Sequence, residues 1–235
     1  MGEQSFSKKD ILKSYVSPLK LETFHSLYHQ DLSVWLQNGK KVLTAGEVPC
    51  SYGEIHKIFT QAFRKTEVES MELNHVLILG FGAGTIASIL QDEMGRECHM
   101  IGIEIDPVII EIGREHFNTG RFKHAEIIQG RADQLNLMKD MKFDLIVCDV
   151  FLGKEVPAEV ESMEFFEQVQ GLLNKNGLFL FRKFLESFKE EVKFSTIEKV
   201  FARVFPVHES IKVNKQNKVL SGWNKLPPKL RKVYY

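Results

Sequence analysis

Apolar positions change period along this chain. Between 32 and 51 they alternate, with Leu32, Val34 and Leu36 leading to Asn38-Gly39, a dipeptide suited to a tight turn whose two residues both take φ > 0. That pattern predicts a β-hairpin, and the mixed, aromatic stretch 11–29 before it reads as further β-structure. From 52 to 63 the period lengthens: Ile55, Phe59 and Phe63 stand four apart with Ile58 and Ala62 beside them, one face of a helix.

After Asn74 apolar runs alternate with amphipathic stretches, the mark of βαβ units around a parallel sheet. Strands are predicted at 75–79, 99–104, 125–129, 145–149 and 178–181, with helices at 85–94, 107–117, 134–139, 158–173 and 187–201. Pro107 suits a first helical turn, where its missing N–H is not needed. Segments 207–213 and 218–223 are expected to close the sheet as an antiparallel pair. The expected fold is therefore α/β, a doubly wound, mostly parallel sheet with a small N-terminal β-hairpin subdomain. Three parts are expected: a β subdomain over 1–52, the main domain over 53–225, and a tail over 226–235 with Pro227-Pro228, Lys229, Arg231 and Lys232.

With 235 residues, 43% hydrophobic and 26% charged, the chain can bury one good core. Lys plus Arg equals Asp plus Glu at 31 each, so no global field draws it to nucleic acid or an anionic membrane. Cys50, Cys98 and Cys148 lie far apart in no ligand spacing, which suggests neither a disulfide framework nor a metal site. No apolar run approaches the roughly 18 residues of a membrane span, the opening residues lack an apolar signal core, and Phe6 stands where a myristoylation signal needs Ser or Thr. A cytoplasmic protein is expected.

The sharpest chemical signal is the strand 75–79 running into Gly80-Phe81-Gly82-Ala83-Gly84-Thr85 and then a helix. Glycines there permit a sharp turn and bring a ligand against bare backbone at a helix N-terminus. Glu104 stands at the end of the next strand, twenty residues after Gly84, where a carboxylate meets the hydroxyls of a ribose. A nucleoside ligand follows from the combination. The dinucleotide fingerprint G-x-G-x-x-G/A fails from Gly80, where Thr85 holds the sixth place, although it reaches Ala87 from Gly82. The G-x-G-x-G form at the strand end points instead to adenosylmethionine.

The run from 76 to 184 resembles the catalytic domain of the spermidine synthase-like branch of class I S-adenosylmethionine-dependent methyltransferases, a Rossmann-type fold. The resemblance rests on Val76 to Thr85, on Ile103-Glu104-Ile105-Asp106-Pro107, on Phe143 to Asp149, and on Val156-Pro157-Ala158 before Phe165-Phe166. Ser51-Tyr52-Gly53-Glu54 resembles the Ser-Tyr-x-Glu entry of the same branch.

The resemblance implies a donor site made by Gly80, Phe81, Gly82, Ala83, Gly84, Glu104, Ile105, Asp106, Arg131, Ala132, Asp133 and Asp149, with Asp149 and Tyr52 as catalytic residues. Arg131 occupies the place of the acid that reads adenine, which leaves that reading to Asp133 two residues on or to the backbone around Arg131 and Ala132. Three departures stand against polyamine synthesis. Leu152 replaces a second aspartate, Gly53 replaces the glutamine after Tyr52, and Arg182 and Lys183 end the fifth strand near the same crevice. Two cations there would oppose a dicationic amine, since at an effective dielectric of about 20 like charges some 4 Å apart repel by roughly 4 kcal/mol. Side chains turned to solvent would not.

The expected activity is therefore transfer, of a methyl group to a small-molecule acceptor, from S-adenosylmethionine. The alternatives are aminopropyl transfer from decarboxylated S-adenosylmethionine, as in spermidine synthesis, and a non-catalytic nucleotide-binding module. Nucleic acid and membrane partners are not expected, and a homodimer is compatible with the resembled branch. His75, His99 and His124, at strand starts away from the crevice, read as structural.

Overall fold

The computed structural model describes residues 6–29, 31–46, 48–153 and 155–225. The tail expected at 226–235 lies outside the described residues.

The N-terminal part is larger than a hairpin. Helix α1 (Lys8–Ser14) opens on Ser7, whose Oγ accepts from the Asp10 amide. It precedes a four-stranded antiparallel sheet of β1 (Leu19–Phe24), β2 (Leu32–Gln37), β3 (Lys40–Ala45) and β4 (Val48–Ser51), in that order. The β2–β3 turn is the expected Asn38-Gly39, with φ of 50° and 75°. The stretch 11–29 is thus part helix and part strand rather than all β. Helix α2 (Glu54–Lys65) then buries Ile55, Ile58, Phe59, Ala62 and Phe63, the face its four-residue period predicts.

The main sheet has seven strands: β5 (His75–Leu79), β6 (His99–Glu104), β7 (Ala125–Gln129), β8 (Phe143–Cys148), β9 (Leu173–Phe184), β10 (Val207–Lys212) and β11 (Asn217–Trp223). Their order is β10-β11-β9-β8-β5-β6-β7. The five central and distal strands β9 to β7 run parallel, and β11 and β10 pair antiparallel at the other edge, as the two segments after Pro206 predict. Alternate residues of the same strand leave for opposite faces. Val76, Ile78, Leu145, Val147, Leu178 and Leu180 pack with α2 on one side. Leu77, Leu79, Ile146, Cys148, Phe179 and Phe181 pack on the other with α5 (Met163–Leu172) and α6 (Phe188–Val204). Burial on both faces is why these strands read as continuous apolar runs.

Two helices expected from the sequence are wound differently. The segment 85–94 is one α-turn, α3 (Thr85–Ser88), followed by a π-helical turn over Ile89–Glu93. The segment 134–139 is a single 3-10 turn, Leu135–Met138. Helix α4 (Pro107–Phe117) matches its predicted span, and its Ile109, Ile112 and Phe117 receive Leu32, Val34 and Leu43 of the N-terminal sheet. Strand order reverses at β5, which pairs with β6 on one side and β8 on the other. Open α/β sheets place their ligand crevice at such a switch point, beyond the carboxyl ends of the strands. No helix among the described residues is long and apolar enough to cross a membrane.

Candidate active site

Directly beyond the switch point lies a cavity of about 310 Å³, bounded by the ends of β5, β6, β7, β8 and β9 and roofed by β4. Its β5 wall is Gly80 and Gly82, with φ of 80° and 56°. A Cβ on Gly80 would lie 2.8 Å from the Asp149 carbonyl carbon and closer still to its oxygen. The Asp149 amide bonds the Leu79 carbonyl at 2.8 Å, so the turn and Asp149 are locked together. The remaining turn residues have other work: Phe81 fills the space over Gly102, the Ala83 amide donates to Ser51 Oγ at 2.8 Å, and Gly84 opens α3 against Phe122. None of these three lines the cavity.

Glu104 is buried at the end of β6 and lines the cavity beside Ile105. Its Oε2 accepts from the Gly82 amide at 2.8 Å and its Oε1 from the Asp106 amide at 3.1 Å. Burial pushes this carboxyl above its ordinary range, against the pull of those two amides. The carboxylate is thus fixed in direction, with lone pairs left for a vicinal diol.

Asp106, expected to touch the donor, does not line the cavity. It is fully buried as the N-cap of α4, accepting from the Val108 amide at 2.9 Å, Ser26 Oγ at 2.5 Å and pairing with His29 Nδ1 at 3.0 Å. Its role is to hold a helix and His29, which does line the cavity. His29 was not singled out in the sequence, because a lone histidine before β2 bears no spacing relation to the glycine turn.

Arg131, Ala132 and Asp133 line the β7 side as expected. Arg131 is exposed and forks onto Asp133 at 2.9 and 3.0 Å, with Glu159 at 3.1 Å. The Arg131 guanidinium holds the Asp133 carboxyl below its ordinary range. The arginine in the usual acid's place is therefore neutralised by its neighbours.

At the opposite end stands Asp149, and it is not alone. Arg182 Nη1 bonds Asp149 Oδ1 at 2.6 Å, Arg182 Nε bonds Asn217 Oδ1 at 3.1 Å, and the guanidinium lies 4.4 Å from the centre of the Phe151 ring. The two side chains are 7% and 3% exposed. Burial raises the Asp149 carboxyl above its ordinary range while Arg182 opposes that rise. Lys183, next along β9, leaves for the other face and pairs with Glu161 at 2.6 Å and Glu190 at 3.2 Å. Neither cation points into solvent. Leu152, Phe151, Val48, Pro49 and Cys50 complete this end, and burial pushes the Cys50 thiol up to about 12.

Tyr52 departs from its expected place. With φ of 63° it stacks on Phe117 at 5.0 Å, and its hydroxyl accepts from Arg121 at 3.5 Å. It lines a second cleft rather than the cavity that holds Asp149.

A family profile described as a methyltransferase domain matches residues 72–231. A polyamine aminopropyltransferase of Vibrio vulnificus is 27% identical over 188 residues, covering 75% of this chain and 61% of that protein. The chain spans less than two thirds of the length of the curated relatives it first matches. In fold it is similar to a probable spermidine synthase of Corynebacterium glutamicum, with a TM-score of 0.70 at 18% identity, covering 88% of this chain and 80% of that one. It is also similar to human methyltransferase-like protein 13 in complex with SAH, with a TM-score of 0.61 at 17% identity, covering 75% and 84%.

Proposed function

The chain belongs to the methyltransferase domain family, and on that premise we propose that it is a transferase that binds an S-adenosylmethionine-type donor in the cavity beyond β5. The observation that carries this reading is a cavity that brings Glu104 and Asp149 together on either side of the Gly80 and Gly82 turn. Glu104 would accept from the ribose hydroxyls, with the adenine toward Ala132 and Asp133 and the sulfonium toward Asp149.

Transfer from a sulfonium is an in-line displacement. The acceptor's lone pair forms a bond to carbon, the carbon–sulfur bond breaks, and the electron pair leaves with a neutral thioether. The acceptor's proton passes to Asp149 or to water. Catalysis then comes mainly from holding the two reactants in line and excluding water, for which the β4 roof of Val48 and Pro49 is suited.

Two transfers remain in view. The curated relative favours aminopropyl transfer over the methyl transfer expected from the sequence. The Asp149–Arg182 pair favours methyl transfer, because the carboxylate that would hold a cationic amine is already neutralised. The test is mass spectrometry of the thioether released when either donor is incubated with a panel of small acceptors. Methylthioadenosine marks aminopropyl transfer and S-adenosylhomocysteine marks methyl transfer. Binding of a donor without either product supports a module that only binds, and failure of any donor to bind removes the proposal.

A further inference from the structure

Arg182 is held on three sides. Asn217 takes Nε, Asp149 takes Nη1, and Phe151 covers one face of the guanidinium plane. Asn217 is itself fixed: its side-chain amide and its backbone amide both donate to Asn214 Oδ1. The side chain is 3% exposed, yet it lines the cavity, and among the described residues Nη2 has no hydrogen-bond partner. The other Asp149 oxygen, Oδ2, is likewise unbonded among them. The inner end of the cavity thus presents a rigid cationic donor and an anionic acceptor side by side, with otherwise uncharged residues, Val150, Phe151, Leu152, Pro49 and Cys50, around them.

Such a pair sums to no charge. A lone ammonium arriving there gains Asp149 only by meeting Arg182, whereas a group carrying both a carboxylate and an ammonium satisfies both partners at once. A guanidinium fork is also the side chain whose geometry matches a carboxylate. Resting on the donor-site reading above, we propose that Arg182 reads a carboxylate on the ligand that reaches this end of the cavity. The site then selects a carboxylate-bearing, zwitterionic partner over a polyamine or a decarboxylated donor. That carboxylate can belong to the donor's amino-acid tail or to the acceptor, and the chemistry of recognition is the same.

Calorimetric titration separates these cases, using S-adenosylmethionine, its decarboxylated form and methylthioadenosine, which has no tail to read. Wild type is expected to bind the carboxylated donor about 10-fold tighter than the decarboxylated one, the scale of one charge-assisted bond. Arg182→Gln should bring that ratio near one while leaving methylthioadenosine affinity within about 3-fold. Because Arg182→Gln leaves Asp149 unpaired, the double variant Asp149→Asn/Arg182→Gln is measured beside it; retained methylthioadenosine binding in either reports an intact fold. If the donor ratio in wild type is already near one, protein saturated with methylthioadenosine is titrated with glutamate and with putrescine. A preference for glutamate that Arg182→Gln abolishes assigns the carboxylate to the acceptor. Preference for the decarboxylated donor, or no preference in either arm, overturns the inference. Failure of methylthioadenosine to bind wild type removes the donor-site reading and this inference with it.

Discussion

Replacing Gly80 by alanine perturbs the point where the glycine turn and Asp149 meet. A side chain at φ of 80° costs about 1–2 kcal/mol in the left-handed region. The new methyl group would also lie 2.8 Å from the Asp149 carbonyl carbon and 3.2 Å from the Val150 nitrogen. Both are backbone, so no rotamer change relieves them, and forced overpacking of this kind adds about 1–3 kcal/mol. The sum is about 2–5 kcal/mol, a large part of the stability of an ordinary domain. Gly95 supplies the control, since its φ is 64° but nothing lies within 4 Å of a Cβ there. Gly95→Ala should therefore cost only the conformational part, about 1–2 kcal/mol. Urea unfolding of both variants, with methylthioadenosine titration of each, tests the reasoning. Gly80→Ala should be the less stable by at least about 1 kcal/mol and should also lose affinity, while Gly95→Ala binds as wild type. Equal stabilities within about 0.5 kcal/mol would refute the lock between the turn and Asp149.

Asp149→Asn alone strands a buried guanidinium, so it should cost about 3–5 kcal/mol in urea unfolding, and the double variant with Arg182→Gln should recover part of that loss. Asp106→Ala should lower stability by at least about 0.5–2 kcal/mol through loss of the α4 cap, seen as a drop in thermal midpoint. Tyr52→Phe removes only the acceptor for Arg121, so nucleoside affinity should stay within about 2-fold of wild type by calorimetry. The raised Glu104 carboxyl gives a signed pH effect. Above the ordinary carboxylate range and up to its folded value, the folded protein holds a proton the unfolded chain has lost, so this group's contribution to stability falls as pH rises. Urea unfolding across pH should show wild type losing stability relative to Glu104→Gln over that window, and a gain would contradict the burial.

The parallel sheet and the glycine–glutamate relation were legible because both are local signals. Strands β5, β6, β8 and β9 are buried on both faces and so read as apolar runs, and Glu104 lies at a fixed distance from the turn because one crossover helix separates them. Helix α1 hid because its only buried residue is Ser14, which leaves no apolar face to set a period, although Ser7 and Asp10 form a capping pair that marks its start. The orientation of Arg182 and Lys183 was beyond reach. Strand alternation sends them to opposite faces, but their burial depends on Asp149, Asn217 and Glu161, distant residues brought close by the sheet order. Tyr52 has a left-handed backbone and stacks on Phe117, neither of which any pattern around it signals. His29 reached the cavity through Asp106, a residue whose place in the motif suggested ligand contact rather than a cap.

Titration of methylthioadenosine into wild type and Glu104→Ala tests the donor cavity most directly, because this ligand carries the nucleoside that the glycine turn and Glu104 are assigned to hold. The account predicts one site per chain in wild type and at least about 10-fold weaker binding in Glu104→Ala, the scale of a lost charged hydrogen bond. Equal affinity in the two proteins, or no binding to wild type, would contradict it.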